Sequence, residues 1–162
     1  MVRRRSGVRF PSPAPNGTAV ERSTLDRGGG HLAIRAFNPR AVAGPFAAYS
    51  HGVELEPPVR MLFGAGQTGV AEDGRIGTGI EEQARLVWRN IGEVLAGAGM
   101  EISDIVQLSM YLLHREDYPT ARTVREEFLG DHRPASTLVY VAGLANPDWL
   151  IEIDFVAARG DR

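Results

Sequence analysis

The sequence lacks two reactive residue types, cysteine and lysine. None of the 162 residues is a cysteine, and all 18 basic residues are arginines. Without cysteine the chain has no disulfide bond, no thiolate nucleophile and no cysteine metal site. Without lysine it has no lysine Schiff base and no P-loop lysine. We expect a cytoplasmic protein, since a chain without disulfides fits a reducing compartment.

Long hydrophobic runs and a strong charge bias are also missing. No apolar stretch approaches the ~20 residues of a membrane-spanning helix, and the formal net charge is only -2. We therefore expect neither a membrane nor a nucleic-acid partner. A hydrophobic fraction of 43% and a charged fraction of 23% are ordinary for a soluble globular domain. The length of 162 residues fits one domain with a tail.

Residues 1–30 differ in composition from the rest of the chain. They hold four arginines within the first nine residues, then three closely spaced prolines and a run of three glycines. No helical or strand period is sustained there, so we predict a disordered or spurious tail over 1–30 and a folded domain over 31–162. A basic arm that binds nucleic acid or lipid is the alternative interpretation.

Hydrophobic periodicity predicts six strands and two helices in the folded part. The strands are expected at residues 32–37, 49–55, 59–67, 104–113, 133–144 and 149–157, and the helices at 78–97 and 118–129. Thr78 followed by Glu81 matches a capping box at the start of the first helix. Each helix has one apolar stripe, so both can pack on one face of a single mixed sheet, in an α+β fold.

The last predicted strand carries two carboxylates on one face. Ile151, Ile153 and Phe155 alternate with Glu152 and Asp154. Burying an unpaired charge is costly, so this face is either wet or lines a site or a subunit contact. We expect Tyr140 and Leu138 of the preceding strand to share it with Glu152, which favours a subunit partner.

Several site types are disfavoured by spacing. Gly64-x-Gly66-x-x-Gly69 matches a dinucleotide fingerprint, but no helix is predicted to open at its last glycine. Ser50 and His51 are consecutive strand residues that face opposite ways, with no acid placed to orient the imidazole. The histidines show no metal-ligand spacing, so no metal site is expected.

A set of segments resembles the RidA (YjgF) family over residues 34–159, in order and in spacing. Among them are Tyr49-Ser50-His51-Gly52-Val53, Phe63-Gly64-Ala65-Gly66-Gln67, Arg133-Pro134-Ala135-Ser136-Thr137 and Ile151-Glu152-Ile153. The resemblance implies a chorismate-mutase-like α+β fold that assembles into a homotrimer with clefts between subunits. It also implies hydrolysis of small enamines or imines, such as 2-aminoacrylate, to a 2-keto acid and ammonia, without a metal or organic cofactor.

Carried over by residue, the resemblance assigns Glu152 to water activation and Tyr49 to the pocket, as the second catalytic residue. Ala65 and Gly66 correspond to the backbone bend that completes it. The arginine that holds the substrate carboxylate does not carry over: Ser136 stands in its place, and Leu138 narrows that side of the pocket. Losing a bidentate fork at roughly 1.5–3 kcal/mol per charged hydrogen bond would cost orders of magnitude in rate. Arg133 is about 10 Å away along an extended chain and should face the other way.

The residues leave three functional interpretations open. The first is a hydrolase or deaminase acting on enamines, imines or related metabolites. The second is a non-catalytic homotrimer that binds a metabolite or regulates a partner. The third, a nuclease or translation inhibitor, comes from the family resemblance and is disfavoured because no aromatic and basic platform for nucleic acid is apparent. Glu152 could equally be an inter-subunit hydrogen-bonding carboxylate, and Tyr49 an ordinary half-buried strand tyrosine.

Overall fold

The structure, a computed structural model, describes residues 34–39, 45, 48–55 and 59–160. The predicted tail over 1–30 and residues 40–44, 46 and 47 therefore lie outside the described residues. The order of elements within the described part is the predicted one. It consists of β1 (Ile34–Phe37), β2 (Gly52–Leu55), β3 (Val59–Thr68), α1 (Gly79–Gly97), β4 (Ile105–Leu112), α2 (Tyr118–Leu129), β5 (Ala135–Tyr140) and β6 (Ile151–Gly160).

Four of these strands form one mixed sheet in the order β3-β6-β4-β5. The strand β6 runs antiparallel to both β3 and β4, whereas β5 runs parallel to β4. The expected single sheet is wrong in one respect, because β1 and β2 pair with each other in a separate two-stranded sheet. Periodicity defines which side chains share a face, but it carries no information about which strand is the hydrogen-bonding partner.

Both helices pack on the same face of the four-stranded sheet, as predicted. The helix α1 contacts β3 and β6, and α2 packs beside α1. Trp88 is fully buried, and its ring stacks on Phe128 with centroids 5.8 Å apart. Buried side chains of α1, α2, β4 and β6 form one continuous core, in which Trp88 is a large aromatic anchor.

The start of α1 differs from the predicted capping box. Thr78 precedes the helix but makes no side-chain cap hydrogen bond. Its backbone N–H donates to Oε2 of Glu82 at 2.7 Å, while Oε1 of Glu82 accepts from Arg75 at 2.8 Å. Glu81 instead pairs with Arg85 one turn later. The prediction chose the wrong glutamate because Arg75, in the preceding turn, holds Glu82 in place.

The glycine-rich segment at residues 64–66 does not end β3. The strand continues to Thr68 through a β-bulge, where the register with β6 shifts between Gly64 and Gln67. A bulge places two residues of one strand opposite one residue of its partner. The predicted bend is therefore a local widening inside the strand, and it leaves Ala65 and Gly66 exposed opposite β6.

Candidate functional site

The sheet face opposite the helices carries the two carboxylates of β6. Glu152 lies beside Tyr111 of β4, and Asp154 lies beside Ser109. The alternating side chains Ile151, Ile153 and Phe155 are buried against the helices. The predicted alternation of β6 is thus confirmed, and we call the opposite surface, which carries Glu152 and Asp154, the helix-free face.

Large apolar side chains are exposed on the helix-free face. Phe63 is 74% exposed, Met61 48% and Val139 41%. The register places Phe63 beside Val156, and Val139 beside Tyr111, so all of them share this face with Glu152. A concentration of exposed apolar side chains around polar ones is typical of a surface that binds a partner.

Glu152 and Gly66 lie in direct contact across β3 and β6. A Cβ atom on Gly66 would overlap Oε1 of Glu152 and would lie 2.7 Å from its Cδ and 3.0 Å from its Cγ. Only a residue without a side chain leaves room for the carboxylate to lie against the backbone of the bulge. The structure therefore brings two predicted site residues together, with Ala65 next to them in the same bulge.

The two carboxylates of the helix-free face differ in their partners. Tyr111 donates its hydroxyl to Oδ2 of Asp154 at 2.9 Å. This hydrogen bond to a carboxylate raises the pKa of Tyr111, and the nearby negative charge adds to the effect. The side chain of Glu152 makes no hydrogen bond or ion pair with any residue that the structure describes. Asp154 is thus occupied, whereas Glu152 is available to a water molecule or a ligand.

Sequence reasoning missed the Tyr111–Asp154 pair. Alternation places Asp154 on the polar face of its strand, but the pairing of β4 with β6 was not predicted. Without that register, nothing indicated that a tyrosine and an aspartate 43 positions apart would meet.

Ser136 and Leu138 lie on the other side of the sheet. Their neighbours across the β4–β5 pairing are Leu108 and Met110, which are buried under the helices. The expectation that Glu152, Leu138 and Tyr140 share a face is therefore wrong. The error comes from treating β5 and β6 as neighbours, because β4 lies between them and fixes which residues of β5 face the helices.

Tyr140 has a different environment from the one expected. It packs against the core on the helix side, and the guanidinium of Arg115 lies 4.5 Å from its ring centroid. Within one subunit, Glu152 is separated from Ser136 by the intervening strand, about 10 Å laterally at two strand spacings, and by the thickness of the sheet. One copy of the chain therefore does not bring all the predicted site residues together.

Tyr49 lies near the start of β5. It is half-buried, and its ring centroid is 5.6 Å from that of His51. The adjacent Ser50 forms a parallel bridge with Ala135 and donates its hydroxyl to the backbone carbonyl of Arg133 at 2.9 Å. Tyr49 is thus placed beside the strand that carries Ser136.

Arg133 is held away from Ser136 by its own hydrogen bonds. Its Nη1 donates to the backbone carbonyls of Gly130 and His132, so the side chain folds back on the loop before β5. This agrees with the prediction that Arg133 would face away from Ser136.

The described residues contain neither a metal-binding cluster nor a membrane-spanning helix. No group of three or more histidine, aspartate and glutamate side chains lies close enough together to hold a metal ion in that part of the chain. No helix there combines the length and the apolar character needed to cross a membrane.

Comparisons with known proteins match most of the chain to one protein family. The family model described as Endoribonuclease L-PSP matches residues 40–159. The chain is 31% identical over 130 residues to the 2-iminobutanoate/2-iminopropanoate deaminase of Salmonella typhimurium, covering 78% of this chain and 96% of the relative.

Solved structures show the same fold. The Rid family protein YyfB of Yersinia pestis superposes with a TM-score of 0.67 at 29% identity, over 76% of this chain and 97% of that one. The TdcF protein of E. coli, solved with bound serine, gives a TM-score of 0.59 at 28% identity, over 77% and 98%.

Proposed function

Since the chain belongs to the RidA (YjgF) family, whose model is described as Endoribonuclease L-PSP, we propose that it hydrolyses small reactive enamines or imines to a carbonyl compound and ammonia. A relative that is 31% identical bears the name of a deaminase of this kind. One observation carries the proposal to the residues: Glu152 lies against the glycine bulge with a carboxylate that no described residue occupies. We propose Glu152 as the catalytic residue.

The chemistry requires only a base that later acts as an acid. Glu152 takes a proton from water as the oxygen attacks the imine carbon, which forms a C–O bond and moves the π electrons to nitrogen. The proton then passes from Glu152 to nitrogen, which gives a neutral carbinolamine. Glu152 next takes the proton of the new hydroxyl group and delivers it to the amino nitrogen, so the C–N bond breaks and ammonia leaves as the C=O bond forms. Water and imine are thus converted to carbonyl compound and ammonia, and no oxidant or reductant is needed.

The remaining predicted residues join this site only if a second copy of the chain covers the helix-free face. Glu152 and Gly66 lie on that face, whereas Tyr49, Ser136 and Leu138 lie in or beside the strand at the edge of the sheet. The exposed Phe63 supports such a contact. We propose a homotrimer with its sites between subunits, for which three copies of the 17.6 kDa chain should give a native mass of about 53 kDa.

The test measures ammonia release from enzymatically generated 2-aminoacrylate and 2-iminobutyrate. We expect Glu152→Gln to reduce kcat/KM by about 10²- to 10⁴-fold, the usual contribution of a general base. Glu72→Gln is the matched control, since it makes the same change at an exposed turn residue. Wild-type protein that is assembled but inert, or a Glu152→Gln variant that is fully active, would overturn the proposal.

Ser136 favours a second candidate, a non-catalytic homotrimer that binds a metabolite or regulates a partner. The residue offers one neutral hydrogen bond where the family resemblance expects a guanidinium fork. If the wild type is inert and Ser136→Arg gains hydrolysis, the scaffold is competent and its natural ligand differs from an amino-acid-derived imine.

A ribonuclease, which the family description names, is disfavoured by the charge of the helix-free face. Glu152 and Asp154 would repel an RNA phosphate rather than bind it. RNA cleavage that is unchanged in both Glu152→Gln and Ser136→Ala would come from a contaminant, not from this site.

A further inference from the structure

The helix α2 contains a buried arginine without a partner. Arg125 is only 5% exposed. Its Nε and Nη2 atoms are buried and make no hydrogen bond, and no residue that the structure describes forms an ion pair with it. Burial lowers the pKa of Arg125. A buried cation with unused donors is costly, and such sites normally contain a counter-charge.

The position of Arg125 on α2 directs it toward the edge of the sheet. Successive residues turn by about 100° around a helix, so Arg125 and Glu127 lie about 160° apart. Glu127 forms an ion pair with Arg85 and therefore marks the flank of α2 that faces α1. Arg125 therefore points away from this ion pair. It lies about 60° around the helix from Phe128, on the side of α2 that carries the core residue Ala121.

The topology of the sheet relates this side of α2 to β5. The helix α1 packs on β3 and β6, on one side of the sheet, and β5 is the edge strand on the other side. The strands β4 and β5 are parallel neighbours, so α2, which connects them, crosses back over them on the helix side. This crossover directs the second half of α2 toward the first residues of β5, where Ser136 and Leu138 face the helices. The charge of Arg133, two residues before β5, adds to the lowering of the pKa of Arg125 by burial.

We propose that Arg125 is the receptor for the carboxylate of a small ligand bound on the helix side of β5, beside Ser136 and Leu138. The two unpartnered nitrogens, Nε and Nη2, are the pair that forms a side-on fork. That fork matches both oxygens of a carboxylate. Ser136 supplies a hydroxyl next to it, and Leu138 an apolar wall for a short alkyl chain.

This inference deepens the proposed function, because it supplies a cationic receptor for the carboxylate, which the neutral hydroxyl of Ser136 cannot provide. It rests on the proposed function only for the fate of the ligand. Binding of a carboxylate can be measured without turnover, so the two claims fail separately.

The experiment measures binding to the full-length protein by calorimetry. The probe is 2-oxobutanoate, and butanone is its uncharged analogue. We expect the acid to bind and Arg125→Gln to weaken its binding by roughly 10- to 100-fold, as for loss of a charge-assisted hydrogen-bond pair. Butanone binding should be unaffected by the substitution.

The control is Arg122→Gln, which removes the same charge one turn earlier. Arg122 is exposed and pairs with Glu126, so this variant should bind 2-oxobutanoate like the wild type. Arg125→Lys keeps the charge but loses the fork, and weaker binding by this variant tests the receptor if Arg125→Gln does not fold. Introducing Ser136→Arg into Arg125→Gln should restore binding, because both positions border the same site.

Three results would overturn the receptor. They are wild-type protein that does not bind the acid, folded Arg125 variants that bind it normally, and equal losses in Arg122→Gln and Arg125→Gln. Arg125-dependent binding without hydrolysis would support the receptor and contradict the proposed function. Normal hydrolysis and binding in Arg125→Gln would support the proposed function and contradict the receptor.

Discussion

Replacing Gly66 by alanine tests whether the glycine bulge positions the catalytic carboxylate. The added Cβ would overlap Oε1 of Glu152 and lie 2.7 Å from Cδ and 3.0 Å from Cγ. Ordinary carbon contacts begin near ~3.5 Å, so these atoms must move by about 1 Å. We expect the carboxylate to swing away from the bulge while the strand stays paired with β6.

The energetic cost to folding should be small. An off-rotamer glutamate costs about 0.5–1.5 kcal/mol, and replacing a strand glycine by alanine offsets about 0.4–1 kcal/mol of this through the unfolded state. The free energy of unfolding should therefore change by less than about 1 kcal/mol. A displacement of 1 Å in a catalytic group costs roughly 10²-fold in rate, so kcat/KM should fall about a hundredfold.

Two assays separate the effects. Urea unfolding at fixed protein concentration gives the stability, and ammonia release from 2-aminoacrylate gives kcat/KM. Gly92→Ala is the control, since a Cβ there meets no atom within 4 Å and the residue lies in α1. A folded Gly66→Ala protein with wild-type kcat/KM would refute the idea that the bulge positions Glu152.

Three further predictions concern stability. Gln83→Ala should lower the free energy of unfolding in urea by about 2–4 kcal/mol, because the buried Gln83 side chain donates to the carbonyls of Gly77 and Asp148 and accepts from the N–H of Leu150. Gln67→Ala is the control and should change it little, because Gln67 makes one exposed hydrogen bond. The hydrogen bond to Asp154 raises the pKa of Tyr111, so this bond should stabilise the fold fully below the unfolded tyrosine pKa of about 10 and be lost as pH rises through the higher folded value. Tyr111→Phe should remove this alkaline dependence of stability. A variant whose stability depends on pH as in the wild type would contradict the prediction. Burial lowers the pKa of His132, whose Nε2–H donates to the carbonyl of Ile105. The contribution of His132 to stability should therefore be fully present above pH ~6.5 and be lost as pH falls through the lower folded pKa. His132→Gln should flatten this loss of stability at acid pH in thermal melts.

The order of the elements could be predicted from sequence because each has a clear local signal. Trp88 and its apolar neighbours repeat at helical spacing, and Gly130 ends α2 where predicted. The alternation of β6 similarly identified which side chains are buried. These signals depend on short-range periodicity, which a single sequence contains in full.

The arrangement of the site could not be predicted because it depends on strand pairing. Ser136 faces the helices only because β5 pairs with β4, and a shift of one residue would have placed it on the same face as Glu152. Arg125 was missed for another reason. It lies four residues after Ala121 and three before Phe128, on an apolar stripe, and an arginine at such a position was a detectable signal of a buried charge.

The central position of β6 constrains how the protein can fold during synthesis. Hydrogen bonds join β6 to both β3 and β4, which do not pair with each other in the described sheet. When β3 and β4 have left the ribosome, the strand that joins them has not yet been synthesised. The edges of β3 and β4 that pair with β6 therefore stay unpaired until residues 151–160 emerge. Folding that waits for such distant contacts is slow and exposes edges to aggregation. Nascent chains that stall before β6 should therefore depend on chaperones to a degree that the finished domain does not.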